Sequence, residues 1–203
     1  TSVANVLEHP TRAEIEGALT PCDWEIGTGE VDVLASHPSV IRFDSWTHPG
    51  SAFTPKLAKA LTQLNGYDLV LIDCPPSLGA LTREALAASD LALIVTTPSY
   101  FGAQGVERAI DEVEEMRKGV NPSLKLAGIV VNRVRSVAEE HQYRMNELGT
   151  LYGKAAILKP FLPERIAVTQ AEGFGTPVNE VKTPGGREVA RIFDKYLSAL
   201  LRK

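Results

Sequence analysis

The chain has 203 residues, of which 44% are apolar and 23% charged, as in ordinary globular proteins with a sizeable core. Its net charge of -4 argues against a nucleic-acid coat protein and against a peptide of membrane surfaces, and no apolar run approaches the length that crosses a bilayer. Residues 1–124 carry 8 Lys/Arg and 17 Asp/Glu, whereas residues 125–203 carry 13 and 8. This basic C-terminal part favours polyanions, and solvated helix faces explain it equally well.

Four apolar runs predict strands at residues 31–35, 69–73, 91–96 and 126–132. The runs are continuous rather than alternating, which is typical of strands buried on both faces of a parallel sheet. Helical patterns cover residues 55–64, 82–88, 104–118, 138–152 and 186–201. The alternation predicts an α/β fold with a doubly wound, mostly parallel sheet flanked by helices. No repeat or low-complexity linker divides the sequence, so we expect residues 1–203 to form a single domain.

The last helical pattern has a broad apolar stripe, which we interpret as core packing. The residues that recur at three- and four-residue steps are Val189, Ile192, Phe193, Tyr196, Leu197, Leu200 and Leu201. The two cysteines, Cys22 and Cys74, are far apart and lack metal-ligand spacing, which suits a reducing cytoplasm.

Residues 67–79 (YDLVLIDCPPSLG) contain the most informative motif of the sequence. A predicted strand ends at Asp73, and ligands of open α/β sheets bind beyond the carboxyl ends of the strands. A carboxylate there can hold Mg²⁺ through water, and the alternative is an Asp that caps the next helix. Pro75 and Pro76 stiffen the following turn, while Gly79 lets the backbone approach a phosphate or change conformation.

The segment YDLVLIDCPPSLGALTREAL resembles the Walker B and switch II region of the ParA/MinD family of deviant P-loop (SIMIBI-class) ATPases, in its ParA/Soj-like partitioning branch. Further similar segments follow in the family's order: residues 97–105 (TPSYFGAQG), 126–133 (LAGIVVNR), 161–166 (FLPERI) and 170–178 (QAEGFGTPV). The resemblance covers nearly the whole chain, and the order and spacing of these segments make it specific.

The resemblance implies ATP and Mg²⁺ as ligands of the intact protein. Asp73 would hold Mg²⁺ through water, and Pro75, Pro76 and Gly79 would form switch II. The expected nucleotide-binding residues lie at the end of the strand of residues 126–132 and in the segment of residues 161–166.

Asn132 would bind adenine, Pro163 would pack on its ring and Arg165 would contact the nucleotide, according to the same resemblance. Asn132 is also explained as a residue of a strand-terminating turn, and Pro163 as an ordinary loop proline. This chain has Pro163-Glu164-Arg165 where the family often has Pro-Arg-Asn, so the family's arginine contact with DNA does not transfer to Glu164.

For its partners, the resemblance implies non-specific DNA, a homodimer formed on ATP binding and a ParB-like protein, with no membrane contact. We therefore expect a cytoplasmic, nucleoid-associated protein. Arg187, Arg191 and Lys195 recur every four residues on the last predicted helix and are the best DNA-binding candidates. Tyr100 and Phe101 belong either to the dimer face or to the core against the sheet.

The family's phosphate loop is absent from this sequence, in which no G-x-x-x-x-G-K-[ST] motif occurs. The second motif of the family, which supplies a catalytic aspartate, is absent as well. We therefore expect no catalytic residue within this chain and no ATP hydrolysis by it alone. Because the lost strand would be central in the sheet, truncation of a longer parent protein explains the absence better than natural loss.

Two alternatives to a ParA-type partition ATPase remain. One is a non-catalytic scaffold or binding protein that has lost the phosphate loop. The other is a MinD-like ATPase that positions a different cargo. Relatives of that type end in a membrane-targeting helix, although the broad apolar stripe favours core packing here.

Overall fold

The computed structural model describes residues 1–24, 29–44, 53–135 and 137–202. The chain divides into two compact units, one of Thr1–Asp90 with Glu112–Lys125 and one of Leu91–Asp111 with Leu126–Lys203. Each unit is described by itself.

The first unit is built mainly from short helices. Its elements are α1 (Val3–Glu8), α2 (Arg12–Glu16), β1 (Leu19–Pro21), β2 (Asp32–Leu34), a 3-10 helix (Pro38–Phe43), α3 (Lys56–Leu61) and α4 (Ala80–Ala87). The side chain of Thr11 accepts a hydrogen bond from the backbone N–H of Glu14 and so caps α2. Two apolar clusters hold these helices together, one around Leu7 and Phe43 and the other around Val6 and Ile15.

The structure corrects two predicted strands in this unit. The prediction at residues 31–35 corresponds to β2, but β2 pairs antiparallel with β1 and is largely exposed. Residues 69–73 form no strand, and Leu69, Val70 and Leu71 are 48%, 50% and 82% exposed. An apolar run becomes a buried strand only when neighbouring strands take up its backbone groups, and no described strand pairs with this one. Only Ile72 of the run packs into a core cluster.

The second unit contains the predicted alternation of strands and helices. Its elements are β3 (Leu91–Thr96), α5 (Tyr100–Lys118), β4 (Lys125–Val131), α6 (Glu139–Tyr152), α7 (Ile166–Phe174), a 3-10 helix (Val178–Glu180) and α8 (Pro184–Leu200). The end of α5 and the first residue of β4 belong to the first unit. The side chain of Ser99 accepts a hydrogen bond from the N–H of Gly102 at the start of α5, and the side chain of Thr183 accepts one from Gly186 and caps α8.

β3 and β4 run parallel. The backbone N–H groups of Lys125 and Asn132 donate to the carbonyls of Asp90 and Thr96, respectively, so both strands advance in the same direction. Parallel bridges from Ile129 to Ile157 and from Val134 to Pro163 extend the pairing beyond β4. A buried cluster that includes Ile94, Ile129 and Leu148 lies on one face. Val130 lies on the other face, packed with α8, so the predicted α/β fold with helices on both faces is confirmed.

The interpretation of the α8 stripe as core is correct for only part of it. Val189, Ile192 and Tyr196 are buried against Val130 and its neighbours. Phe193, Leu197 and Leu201 are 45%, 43% and 67% exposed, because a stripe this broad exceeds the width that one sheet face covers. No helix among the described residues is both long and apolar enough to span a membrane.

Candidate functional site

Residues 67–79 follow the first unit's surface as an extended segment and a turn. The hydroxyl of Tyr67 donates to a carboxylate oxygen of Asp32 at 2.5 Å, which attaches the start of the segment to β2. Asp73, Pro75 and Pro76 are all exposed. Among the described residues no group of three acidic, His or Cys side chains could hold a metal, so Asp73 stands as a single exposed carboxylate. This arrangement fits Mg²⁺, which keeps several waters and needs only one or two protein carboxylates beside a nucleotide's phosphates.

Position 79 favours glycine because a carboxylate occupies the space that the Cβ of any other residue would need. A Cβ at this position would lie 2.8 Å from Cγ of Asp44 and closer still to its Oδ1. Oδ1 of Asp44 in turn accepts a hydrogen bond from the N–H of Leu81 at 3.4 Å in the first turn of α4. Within this structure, a carboxylate of the chain itself lies beside Gly79, and the approach of a phosphate there stays a prediction.

The turn is held to α4, and α4 is held to α3. The hydroxyl of Thr82 donates to the carbonyl of Ser77 at 2.6 Å, which closes the turn onto the helix. Glu84 is buried, and its carboxylate accepts a hydrogen bond from the N–H of Leu57 at 2.9 Å at the start of α3. Burial raises the pKa of Glu84 above its ordinary value, although backbone donors of α3 oppose the shift.

Asn132 lies at the end of β4, where its backbone N–H donates to the carbonyl of Thr96 at 2.8 Å. Its side-chain oxygen accepts a hydrogen bond from the N–H of Arg133 at 2.8 Å, and Arg133 has a left-handed φ of 56°. The geometry is that of the strand-terminating turn considered above. One lone pair of the amide oxygen is thus used locally, and the amide nitrogen is the group with which Asn132 can read a ligand.

Pro163 lies beside the same strand end. It forms a parallel bridge with Val134, and the N–H of Glu164 donates to the carbonyl of Val134 at 3.2 Å. The structure therefore brings Asn132 and Pro163 together at adjoining strand ends of the second unit. Half-buried Pro163 presents an apolar ring there, as an adenine-stacking residue requires.

Arg165 is directed towards α8. Its Nε donates to a carboxylate oxygen of Glu188 at 2.7 Å, and another guanidinium N–H donates to the carbonyl of Glu164 at 3.2 Å. Glu164 is ion-paired with Arg135, and this hydrogen bond holds the pKa of its carboxyl below the ordinary value. The two residues that follow Pro163 are thus both held in ion pairs.

The three DNA-binding candidates share one exposed face of α8, opposite its buried residues. Arg187, Arg191 and Lys195 are all exposed, whereas Val189 and Ile192 lie in the core. A guanidinium N–H of Arg187 donates to the carbonyl of Lys182 at 2.8 Å. The face is a row of side chains whose positive charges can reach phosphates.

Tyr100 and Phe101 are exposed by 54% and 81%, so the alternative of burial against the sheet is wrong for both. Their rings meet edge to face with centroids 5.5 Å apart. The guanidinium of Arg144 lies between the rings of Tyr100 and Tyr143, at 5.4 and 4.9 Å from their centroids. The dimer face remains a prediction for this aromatic cluster.

Sequence analysis missed the partners that fix these residues. Asp44 lies 35 positions before Gly79, and Glu188 lies 23 positions after Arg165, so no local pattern links either pair. A carboxylate's partner at such a distance becomes visible only in the folded chain.

Comparison with solved structures identifies the class of fold. The chain is similar to apo McdA from Cyanothece (TM-score 0.81, 16% identity, 98% of this chain and 77% of that chain). It is also similar to the cell division ATPase MinD of Pyrococcus furiosus (TM-score 0.67, 19% identity, 98% and 76%). A third similar structure is cobyrinic acid a,c-diamide synthase of Mycobacterium smegmatis with bound ADP and magnesium (TM-score 0.69, 22% identity, 86% and 74%). The fold is that of P-loop ATPases of the ParA/MinD type.

Sequence comparison then gives the family. Residues 2–126 match the family described as AAA domain, and the chain is 34% identical over 122 residues to the chromosome partitioning protein ParA of Myxococcus xanthus (59% of this chain, 42% of the relative). It is 31% identical over 153 residues to the chromosome-partitioning ATPase Soj of Thermus thermophilus (71% and 61%). The chain belongs to this family of ParA/MinD ATPases. It spans about half the length of the curated relatives it matches.

Proposed function

We propose that the chain is part of a ParA-type partition ATPase, an ATP-dependent dimeric switch that binds DNA non-specifically. With a ParB-like partner it would segregate chromosome or plasmid DNA in the cytoplasm, on the nucleoid. The observation that carries the proposal is that Asn132 lies at the end of β4 and Pro163 forms a bridge with Val134, two residues further on, in a chain that also carries the DCPPSLG turn. Relatives named as partitioning ATPases support it.

In this proposal, Asn132 donates to adenine through its amide nitrogen and Pro163 packs on the ring. Asp73 would hold Mg²⁺ through water, and the ion would supply positive charge to the phosphate oxygens of the nucleotide. Pro75, Pro76 and Gly79 make the turn that responds to the γ-phosphate, and the contact of Gly79 with Asp44 links the turn to α4. Arg165 orients the start of α8 through Glu188 and contacts the nucleotide only if that ion pair opens.

We also propose that the phosphate loop and the catalytic aspartate belong to a longer parent protein. Leu69, Val70 and Leu71 expose apolar side chains without a strand partner among the described residues. In the second unit, Leu93 and Val95 of β3 are 39% and 60% exposed, although parallel sheets are covered on both faces. The longer relatives support this view, and the gene sequence upstream of Thr1 tests it. A KGGVGKT-type loop there is expected, and a start codon directly before Thr1 would favour the scaffold alternative.

The experiment that tests the switch is retention of a DNA fragment by the intact parent protein with ATP, with ADP and without nucleotide. We expect strong retention with ATP alone, because only the ATP-bound dimer presents two basic rows at once. Equal retention under the three conditions would refute the proposal.

A matched pair of variants tests the basic row. Replacing Arg187, Arg191 and Lys195 by Gln should make DNA binding depend less on salt. The slope of the logarithm of the binding constant against the logarithm of the salt concentration should become shallower by about 0.9 for each phosphate that the protein no longer neutralises. Replacing the exposed Arg12, Lys59 and Lys118 of the first unit by Gln removes the same charge and should leave the slope unchanged. If the two variants weaken binding equally, the DNA-binding residues are spread over the protein and the row has no special role.

The exposed apolar row of α8 favours one second candidate, a MinD-like ATPase that positions its cargo on a membrane. Phe193, Leu197 and Leu201 adjoin the basic residues of the same helix, an arrangement that suits anionic lipid surfaces. Sedimentation of the intact protein with anionic vesicles separates the candidates. We expect no ATP-dependent sedimentation, and sedimentation that is lost on Phe193→Ser would establish the second candidate instead.

A further inference from the structure

A groove in the second unit lies between α6 and residues 154–161, and neither the proposed nucleotide site nor the basic row of α8 uses it. Its volume is about 330 Å³, which lies at the lower end of the range for ligand-binding pockets. All residues that line it lie within positions 142–161, so the groove belongs to one compact unit. The inference drawn from it is independent of the proposed nucleotide switch.

The chemistry of the groove combines positive charge with an apolar floor. Lys154 and Lys159 are the charged residues of its lining, and none of the lining residues is acidic. Among the described residues, neither lysine has an ion-pair partner, in contrast to Arg144 of α6, which binds Glu140 and Glu147. Two cations without carboxylate partners at one concave surface favour a ligand that brings its own negative charge.

The floor is formed by Met145, Ile157 and Phe161, which pack against the main apolar cluster of this unit. The ammonium of Lys159 lies 5.5 Å from the centroid of the Phe161 ring, so the charge stands directly over the apolar floor. The side-chain amide of Asn146 lines the α6 side and has both a donor and an acceptor for a peptide backbone.

We propose that this groove binds an acidic, partly apolar peptide segment of a partner protein. The carboxylates of the segment would pair with Lys154 and Lys159, and its apolar side chains would cover Met145 and Phe161. Double-stranded DNA is the weaker occupant, because it presents phosphates on a convex surface and would leave the apolar floor uncovered. Exposed ion pairs contribute little individually, so the apolar contacts decide the affinity and the charges decide the selectivity.

Gly149 offers a way to close the groove without changing its charge. It lies inside α6, and a Cβ at this position would meet only Cγ of Lys154, at an ordinary contact distance of 3.7 Å. Gly149→Leu should therefore fill the groove while favouring the helix, because leucine is a better helix former than glycine.

The test is a fluorescence-anisotropy titration of the intact parent protein with a short labelled peptide of alternating Glu and Val. We expect saturable binding, weakened roughly three- to tenfold by Lys154→Gln with Lys159→Gln and abolished by Gly149→Leu. The double variant Arg108→Gln with Lys182→Gln removes the same charge from exposed positions of the second unit outside the groove and should bind as the unchanged protein does. A peptide of alternating Lys and Val should not bind.

Three results would overturn the proposal. The first is that the unchanged protein binds no peptide, or that the Gly149→Leu variant binds the peptide as well as the unchanged protein does. Another is competition by free glutarate at the same molar concentration as the peptide, which would define a small-molecule site. The third is binding of a short DNA duplex that the lysine variant loses and Gly149→Leu retains, which would assign the lysines to DNA. Circular dichroism confirms that each variant is folded.

Discussion

The carboxylate of Asp44 leaves no room for a side chain at Gly79, in the turn of residues 73–79. Gly79→Ala should lower the free energy of unfolding by about 1 kcal/mol, since the new Cβ displaces Asp44 and removes its hydrogen bond to α4. Gly173→Ala is the control, because a Cβ there meets nothing within 4 Å and alanine favours the helix. Urea denaturation measures both. If Gly79→Ala costs the same in an Asp44→Ala background, the contact between the two residues is not the cause.

Glu84 makes the first unit's stability depend on pH. Its pKa is raised by burial, so the folded state prefers the protonated carboxyl. The contribution of Glu84 is therefore fully present below the unfolded-state pKa of about 4.3, and it is lost as the pH rises through the folded-state value.

Glu84→Gln should remove this dependence, because the amide does not titrate and its oxygen still accepts from the N–H of Leu57. The free energy of unfolding of the unchanged protein, relative to that of the Gln variant, should fall as the pH rises above about 4.3. A difference that stays constant from acid to neutral pH would contradict the assignment.

At the scale of elements, α8 is attached to residues 154–161 by a hydrogen bond as well as by apolar packing. The hydroxyl of the buried Tyr196 donates to the carbonyl of Pro160 at 2.5 Å, and burial raises the pKa of Tyr196 to about 12. Tyr196→Phe should lower the free energy of unfolding by about 1 kcal/mol.

Tyr143→Phe, at an exposed position, is its control and should have little effect on stability. In an ultraviolet titration, Tyr196→Phe should also remove one tyrosine that ionises about 2 pH units above the ordinary value. Loss of a normally titrating tyrosine instead would show that Tyr196 is exposed to solvent.

Elements with a periodic pattern and a local partner were predictable from the sequence. The strands β3 and β4 were expected within a residue or two of their ends, and α5 and α6 are signalled by long amphipathic repeats. The short helices α1, α2 and α7 were missed, because a helix of one or two turns shows too little periodicity. Residues 69–73 have the composition of a strand, but composition does not supply the neighbouring strands that a buried strand requires.

The residues of the candidate site were also predictable only in part from the sequence. Asn132 lies directly after β4, as the apolar run of residues 126–132 indicates, whereas Pro163 is a candidate through the family resemblance alone. The ion pair of Arg165 with Glu188 depends on how α8 packs on the sheet, which no local pattern encodes.

At the scale of the whole molecule, the sequence has no phosphate-loop motif of the G-x-x-x-x-G-K-[ST] type. The chain of residues 1–203 should hydrolyse no ATP above background, because no P-loop lysine is present to hold the β- and γ-phosphates. A phosphate-release assay with the intact parent protein as the positive control measures this. Hydrolysis by the 203-residue chain that persists through purification would contradict the assignment of the catalytic residues to the parent.

The proposed function requires that Asp73 couple bound Mg-ATP to DNA binding through the turn that follows it. The most direct measurement is ATP-dependent DNA retention by the intact parent protein carrying Asp73→Asn, compared with Asp68→Asn, an exposed carboxylate five positions earlier in the same segment. The account predicts that Asp73→Asn retains DNA equally with and without ATP, while Asp68→Asn still responds to ATP. A normal ATP response in Asp73→Asn would contradict it.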